Sequence, residues 1–305
     1  MKAFVCLITL GLMALPASAA IVVDGSKDAS YGSALAVQTV DTEFGDPSGS
    51  ELDAAYAKVW GGRLYLLLTG NLEGNFNKLD IFIDSKAGGE NVLSGAPGND
   101  GTGVMAGLKF DAGFTADYGI IARHGNDNGN DKFDLDFSEL GTANYSSYQD
   151  FLVGSGQNGV GTTGAPTATG GTGGNASPIS AGMDNTNVLG VVGGTAAADP
   201  VAAAAVTTGL ELSIDLADIG SPVVGDTIQI SAMVNNGSHD FLSNQFLGGL
   251  PAGTGNLGIS SPDLTTFAGD QFFSFVIAAE VPEPATLALA GLALAATVFS
   301  RRRFS

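Results

Sequence analysis

The chain has 305 residues, with 31 Asp and Glu against 12 Lys and Arg, for a net charge of −19. A protein this acidic repels phosphate backbones and anionic membrane surfaces, which excludes nucleic acid as a partner and makes cations the natural counter-ligand. One cysteine, two histidines and 45 glycines exclude a disulfide framework and point to a chain rich in turns.

The N-terminus carries Lys2, an apolar run from Ala3 to Leu15, then Pro16 and the triplet Ala17-Ser18-Ala19. A positive start, an apolar helix of about a dozen residues and an A-x-A site form a secretory signal peptide, which signal peptidase cuts after Ala19. A buried N-terminal helix would instead have to accommodate Pro16 beside that triplet. Cys6 lies inside the apolar run, badly placed for lipidation, and leaves with the peptide, so no thiol chemistry remains. Residues 1–19 are therefore expected as signal helix, 20–279 as one β domain and 280–305 as a C-terminal segment. Removing Lys2, Glu283 and Arg301 to Arg303 takes the charge from −19 to about −22.

Within the domain, period-two alternation and β-formers dominate. Residues 55–60 and 63–69, joined by Gly61-Gly62, predict a hairpin whose turn needs positive φ. Residues 78–84 follow, with Leu79, Ile81 and Ile83 facing one way. Further strands are expected at 107–110, 118–122 and 133–137. Between the last two runs His124-Gly125-Asn126-Asp127-Asn128-Gly129-Asn130-Asp131, the richest polar cluster of the chain. Asp127, Asn128, Asn130, Asp131 and Asp134 are candidate calcium ligands, because Ca²⁺ takes six to eight oxygens. The register is not that of an EF-hand, which needs a closing Glu. The same residue types are the default formers of an Asx-rich turn, which is the alternative reading. Asp24, Asp28, Asp80 and Asp84 form a second acidic set, with strand-end and capping roles as the alternative.

Tyr145, Tyr148 and Phe151 offer either an aromatic sugar platform or strand packing, and Trp60 is expected in the core. From 154 to 208 the chain is mostly Gly, Thr, Ala and Asn, with only Val188, Leu189, Val191 and Val192 resembling a strand. This reads as a long surface excursion rather than a linker. The strands beyond it, at 209–214, 227–234 and 272–277, are too few to close a second core. Residues 215–219 predict a single helical turn, capped by Asp215 and stopped by Gly220 and Pro222. His239-Asp240 gives a nucleophilic triad little to build on, with no G-x-S-x-G elbow in the chain. No acidic pair is singled out by apolar surroundings as in a glycan hydrolase. Many short strands, Gly-rich turns and no long amphipathic helix predict an all-β fold, an antiparallel β-sandwich of jelly-roll type.

The chain closes with Pro282-Glu283-Pro284, an apolar stretch over 285–300 and Arg301-Arg302-Arg303. The prolines start a new helix, which at 1.5 Å per residue reaches about 24 Å against a hydrocarbon core of about 30 Å. Its six large apolar residues, at about −0.5 kcal/mol each, give on the order of −3 kcal/mol toward insertion. Such an anchor is marginal, and the arginines place the domain on the outer side of the membrane.

These last residues, V-P-E-P-A-T-L-A-L-A-G-L-A-L-A-A-T-V-F-S-R-R-R, resemble the PEP-CTERM sorting signal of exopolysaccharide-producing Gram-negative bacteria. The resemblance implies an exosortase that reads Pro282, Glu283 and Pro284, with Arg301, Arg302 and Arg303 as the stop-transfer element. It also implies a periplasmic stage at the inner membrane before transfer to the cell surface or matrix. A second resemblance runs through Val23-Asp24-Gly25, A-Y-A-K-V-W-G-G-R-L-Y-L-L-L-T-G-N-L, K-L-D-I-F-I-D-S and G-L-E-L-S-I-D-L-A-D-I-G. These segments are similar to DOMON-like domains and family 9 carbohydrate-binding modules, which implies a β-sandwich, often with structural calcium. Sugar-binding members stack glycans between aromatics, commonly two tryptophans, whereas this chain has Trp60 alone. The expectation is a non-enzymatic exported protein associated with exopolysaccharide. The alternatives are a carbohydrate-binding module with an exposed aromatic platform or a hydrolase of surface polymer.

Overall fold

The computed structural model describes residues 20–45 and 49–280. Residues 21–279 form one unit. The expected signal peptide, with its cleavage residues Ala17 and Ala19, and the C-terminal helix with Pro282, Glu283, Pro284 and the three arginines lie outside the described residues.

Period-two alternation builds two antiparallel sheets. The strands are β1 (Ala36–Val37), β2 (Glu51–Trp60), β3 (Arg63–Asn71), β4 (Asn75–Asp84), β5 (Tyr118–Asp127), β6 (Asn130–Glu139), β7 (Tyr145–Gln149) and β8 (Val153–Gly154). They continue as β9 (Asn158–Thr162), β10 (Ala168–Gly170), β11 (Ser180–Asp184), β12 (Gly209–Asp215), β13 (Thr227–Asn235), β14 (Leu242–Leu247) and β15 (Phe273–Val276). A seven-stranded sheet runs β1-β2-β3-β12-β11-β9-β8, and an eight-stranded sheet runs β10-β7-β6-β5-β4-β13-β14, with β15 also paired to β13. The inner faces meet in one apolar core. Leu64, Leu66 and Leu68 of β3 and Leu210, Leu212 and Ile214 of β12 face Leu79, Ile81 and Ile83 of β4 and Phe133, Leu135 and Phe137 of β6. The β2–β3 hairpin turns at Gly61 (φ 59°) and Gly62 (φ 74°) as expected. The predicted turn after β12 is a short 3₁₀ helix in which the Asp215 carboxylate accepts from the Ala217 N–H at 3.0 Å.

Residues 107–110 form no strand. Leu108 and Phe110 are buried instead in a second core on the outer face of the eight-stranded sheet. There the loop between β4 and β5 and the residues after β14 lay Leu93, Met105, Leu108, Phe114, Leu250 and Leu264 over Phe82, Met233 and Phe246. A period-two pattern cannot separate an exposed outer face from one covered by a loop, so these apolar residues read as a strand.

The stretch 154–208 is not a surface excursion throughout. It supplies β9, β10 and β11 and the short helix α1 (Pro200–Ala205), and β11 pairs with both β9 and β12. Its composition misleads because glycine here has a packing role. A Cβ on Gly182 of β11 would overlap the backbone of Asp24 and Gly25, which crosses directly over the strand. Tyr148 and Phe151 pack on the inner core, in edge contact with their ring centroids 6.4 Å apart. Trp60 is half-buried at the hairpin end, with the Lys58 ammonium 5.6 Å from its ring.

Phe137 is fully buried between the sheets. Phe137→Ala is expected to cost about 3–5 kcal/mol in urea unfolding. A loss below about 1 kcal/mol would mean that this core is not closed around it.

Candidate functional site

Three places on the domain gather polar chemistry. The first is the β5–β6 hairpin tip singled out by sequence. Asn128 (φ 52°) and Gly129 (φ 86°) make the two-residue turn. The side chains are largely engaged with one another: Asn126 donates to Asp131 Oδ1 at 3.0 Å, Asn128 to Asp127 Oδ1 at 2.7 Å, and the Gly129 N–H to Asn126 Oδ1 at 2.9 Å. Asp127, Asn128, Asn130 and Asp131 are thus brought together. Asp134 is not, because it lies further along β6, where its Oδ2 meets Arg123 Nε at 3.2 Å and its Oδ1 accepts from the Asp150 N–H. Among the described residues no three of His, Cys, Asp and Glu are grouped to hold a metal ion.

The second place is a charged network on the outer face of the eight-stranded sheet. Lys78 and Asp80 of β4, Arg123 of β5, Asp134 and Asp136 of β6 and Asn235 of β13 stand in adjacent register. Asp100 comes down from the covering loop, with its Oδ2 3.0 Å from Lys78 Nζ and 2.6 Å from Arg123 Nη1. His239 completes it from the β13–β14 loop, with Nδ1 3.2 Å from Lys78 Nζ and Nε2 2.8 Å from Asp80 Oδ1. Nδ1 also lies 3.1 Å from the Asp100 carbonyl oxygen, so the ring is held between Lys78, the Asp100 backbone and Asp80. Burial pushes Asp134 and Asp136 above the usual carboxylate range, with Arg123 acting in the opposite sense. His239 is 0 % exposed, and the cavity beside Asp80, about 10 Å³, has room for about one water. The arrangement locks β4, the covering loop and the β13–β14 loop together. Neither chain position nor motif foretold it, because its members are far apart in sequence.

The third place is open. On the outer face of the seven-stranded sheet, Tyr65 of β3, Ser213 of β12, Ser180 of β11 and Thr162 of β9 are consecutive register partners, forming one transverse row. They line a groove of about 460 Å³ together with Arg63 and the N-terminal residues Ile21 and Val23. Arg63 is held in place by Ser213 Oγ at 2.7 Å and by the Pro178 and Ser213 carbonyls, each at 2.8 Å. Thr162 Oγ1 and Ser180 Oγ lie 3.0 Å apart. An aromatic ring, three hydroxyls and a guanidinium on a shallow face suit a polyhydroxylated ligand, which needs apolar contact on one face and hydrogen bonds at its edges. No local signal in the sequence marks this row, since four separate strands supply it.

One wall of that groove is the N-terminal segment, fixed by Glu211 of β12. Its Oε2 accepts from the Asp24 and Gly25 N–H groups at 2.9 and 3.1 Å, and its Oε1 from the Tyr31 hydroxyl at 2.7 Å. Burial raises Glu211 from 4.5 to about 7, the hydrogen bonds opposing it, and burial together with Glu211 pushes the Tyr31 phenol up.

The domain ends past β15 with Ala278 and Ala279, both exposed and outside any strand. Residues 280–303, which include Pro282, Glu283, Pro284 and the three arginines, match the family model of the PEP-CTERM protein-sorting motif. This motif implies a secreted protein held transiently at the membrane through its C-terminus and processed by an exosortase to the cell surface. No curated protein and no solved structure matches it. Among the described residues no helix is long and apolar enough to cross a membrane.

A carboxyl whose pKa is raised by folding holds a proton in the native state that it has lost in the unfolded state. That stabilisation is complete below about 4.5 and disappears as pH rises through about 7. Thermal unfolding from pH 5 to 8 should therefore show the parent losing stability relative to Glu211→Gln. A difference that is constant across the range would contradict the burial of this carboxyl.

Proposed function

We propose that the mature domain is a non-enzymatic surface or matrix protein that associates with the exopolysaccharide of its own cell. The observation that carries this reading is the row Tyr65, Ser213, Ser180 and Thr162 with Arg63 in an open groove. The sorting motif supports it by delivering the domain to the surface, where such polymer lies. The acidic charge supports association rather than aggregation, since like-charged domains repel one another. The predicted platform of Tyr145, Tyr148 and Phe151 is replaced in this reading by Tyr65, because Tyr148 and Phe151 serve the core. In affinity electrophoresis through gels containing the native polymer, the mature protein should be retarded, and Tyr65→Ala should migrate close to the free rate. Equal mobility of the two proteins in every polymer tried would sink the groove as the contact.

The delivery half of the proposal has its own test. Deleting residues 282–305 should leave the protein unprocessed and absent from the surface fraction, read by intact mass and cell fractionation. Unchanged maturation in that deletion would remove the exosortase from the account.

A further inference from the structure

On the seven-stranded sheet, away from the groove, Glu51 opens β2 and Asp53 follows within three residues. Asp53 is the extra residue of a β-bulge: Glu51, Leu52 and Ala54 pair with Asn71, Gly70 and Thr69 of β3, and Asp53 pairs with none. A bulge re-aims the side chain it carries, and here the Asp53 and Glu51 carboxylates meet one loop. Asn187 Nδ2 lies 3.2 Å from Glu51 Oε1, 3.3 Å from Asp53 Oδ2 and 2.5 Å from the Leu189 carbonyl oxygen. The Val191 N–H donates to Asp53 Oδ1 at 2.9 Å, and Asn71 Nδ2 donates to the Asn187 carbonyl at 2.7 Å. Gly190 between them has φ +102°, and a Cβ there would collide with Asp53 Oδ1, so the loop is shaped to approach the acids closely.

Two oxygens remain. Glu51 Oε2 and Asn71 Oδ1 are buried without a hydrogen-bond partner, on residues 0 % and 3 % exposed. The ion pairs among the described residues reach neither Glu51 nor Asp53. Burial raises Glu51 to about 9, helped by the Asp53 charge, and raises Asp53 to about 7. A proton on Glu51 neutralises that carboxyl and gives it an O–H to donate, but it leaves Asp53 beside it with no cation among the described ion pairs. Two buried acids with an orphaned amide oxygen on the register partner of one of them suit one positive centre that takes several oxygens at once.

We propose that Glu51, Asp53 and Asn71, with the Leu189 carbonyl, bind one calcium ion that fastens the 187–191 loop to the bulge of β2. Both oxygens of Glu51, Asp53 Oδ2, Asn71 Oδ1 and the Leu189 oxygen make an all-oxygen, doubly charged set. This matches Ca²⁺, which accepts irregular sets of six to eight oxygens, better than Mg²⁺, which demands a near-ideal octahedron. The balance comes from water, which reaches the loop through a groove of about 420 Å³ lined by residues 187–192 and the end of α1. The Asn187 amide nitrogen stands where three of the oxygens converge, so the ion enters as that side chain swings away.

The test uses the full chain in mild detergent, stripped with chelator, and reads terbium luminescence sensitised by the nearby Tyr56, displacement by calcium, and thermal unfolding. The parent should take up one ion per chain, and saturating calcium should raise its Tm by roughly 3–8 °C. Glu51→Gln and Asp53→Asn should each weaken binding at least about tenfold. Should either variant fail to fold, Asn187→Asp, which adds a third carboxylate, should bind calcium about tenfold more tightly than the parent. No terbium signal and no Tm shift in the parent would overturn the proposal, as would an Asn187→Asp affinity no better than the parent's. Binding that survives Glu51→Gln and Asp53→Asn but is lost in Asp127→Asn would overturn it too, by locating the ion at the hairpin tip.

Discussion

A buried carboxyl group on a strand or in a covering loop can hold a neighbouring segment in place by accepting its backbone N–H groups, and this domain relies on that interaction repeatedly. Glu211 takes the Asp24 and Gly25 N–H groups, Asp53 that of Val191, Asp117 those of Ser85 and Lys86, and Asp111 that of Gln271. Among the described residues there is no cysteine to staple the long connections, and backbone N–H groups bonded to buried carboxyl oxygens take that place. Each such acid must lose its hydration, so each is costly unless its oxygens are satisfied.

The two outer faces use this device to different ends. On the eight-stranded sheet the loops pack down, with Phe82, Phe110 and Phe114 in edge and tilted contact in a second core and the Lys78–His239–Asp80 line buried beside it. On the seven-stranded sheet coverage is partial. The N-terminal segment and the 187–208 region cover the ends of β2 and β3 and leave the row from Tyr65 to Thr162 open between them. A rigid sheet with one face exposed and the other packed is a suitable base for a surface that meets a polymer, because the contact residues are held by register rather than by loops.

Strand alternation made the inner core legible from sequence. Leu79, Ile81 and Ile83 were separable from Asp80 and Asp84 by parity alone, and Gly61-Gly62 marked the tight turn between β2 and β3. The C-terminal sorting motif was equally plain, since a proline-flanked glutamate followed by an apolar run and three arginines occurs once in the chain. What parity could not reveal was which outward residues are covered. Asp80, Glu51 and Glu211 look like solvent-facing acids in a strand pattern, yet they are fully or nearly buried because segments more than 100 residues distant fold over them. Glycine was misread for a related reason: at Gly182 it records a backbone crossing, whereas composition suggested a loop. The open row was invisible because Tyr65, Thr162, Ser180 and Ser213 become neighbours only when four strands are aligned.

Native-state hydrogen exchange measures the loop-fastening directly, amide by amide. The N–H groups of Gly25, Ser85, Lys86, Val191 and Gln271 should exchange on the timescale of the central strand amides of β3 and β12, since each opens only when a buried carboxylate is released. If these five exchanged as fast as the amide of Gly129 at the exposed hairpin tip, the carboxylates would not be holding the loops. The account of both outer faces would then be wrong.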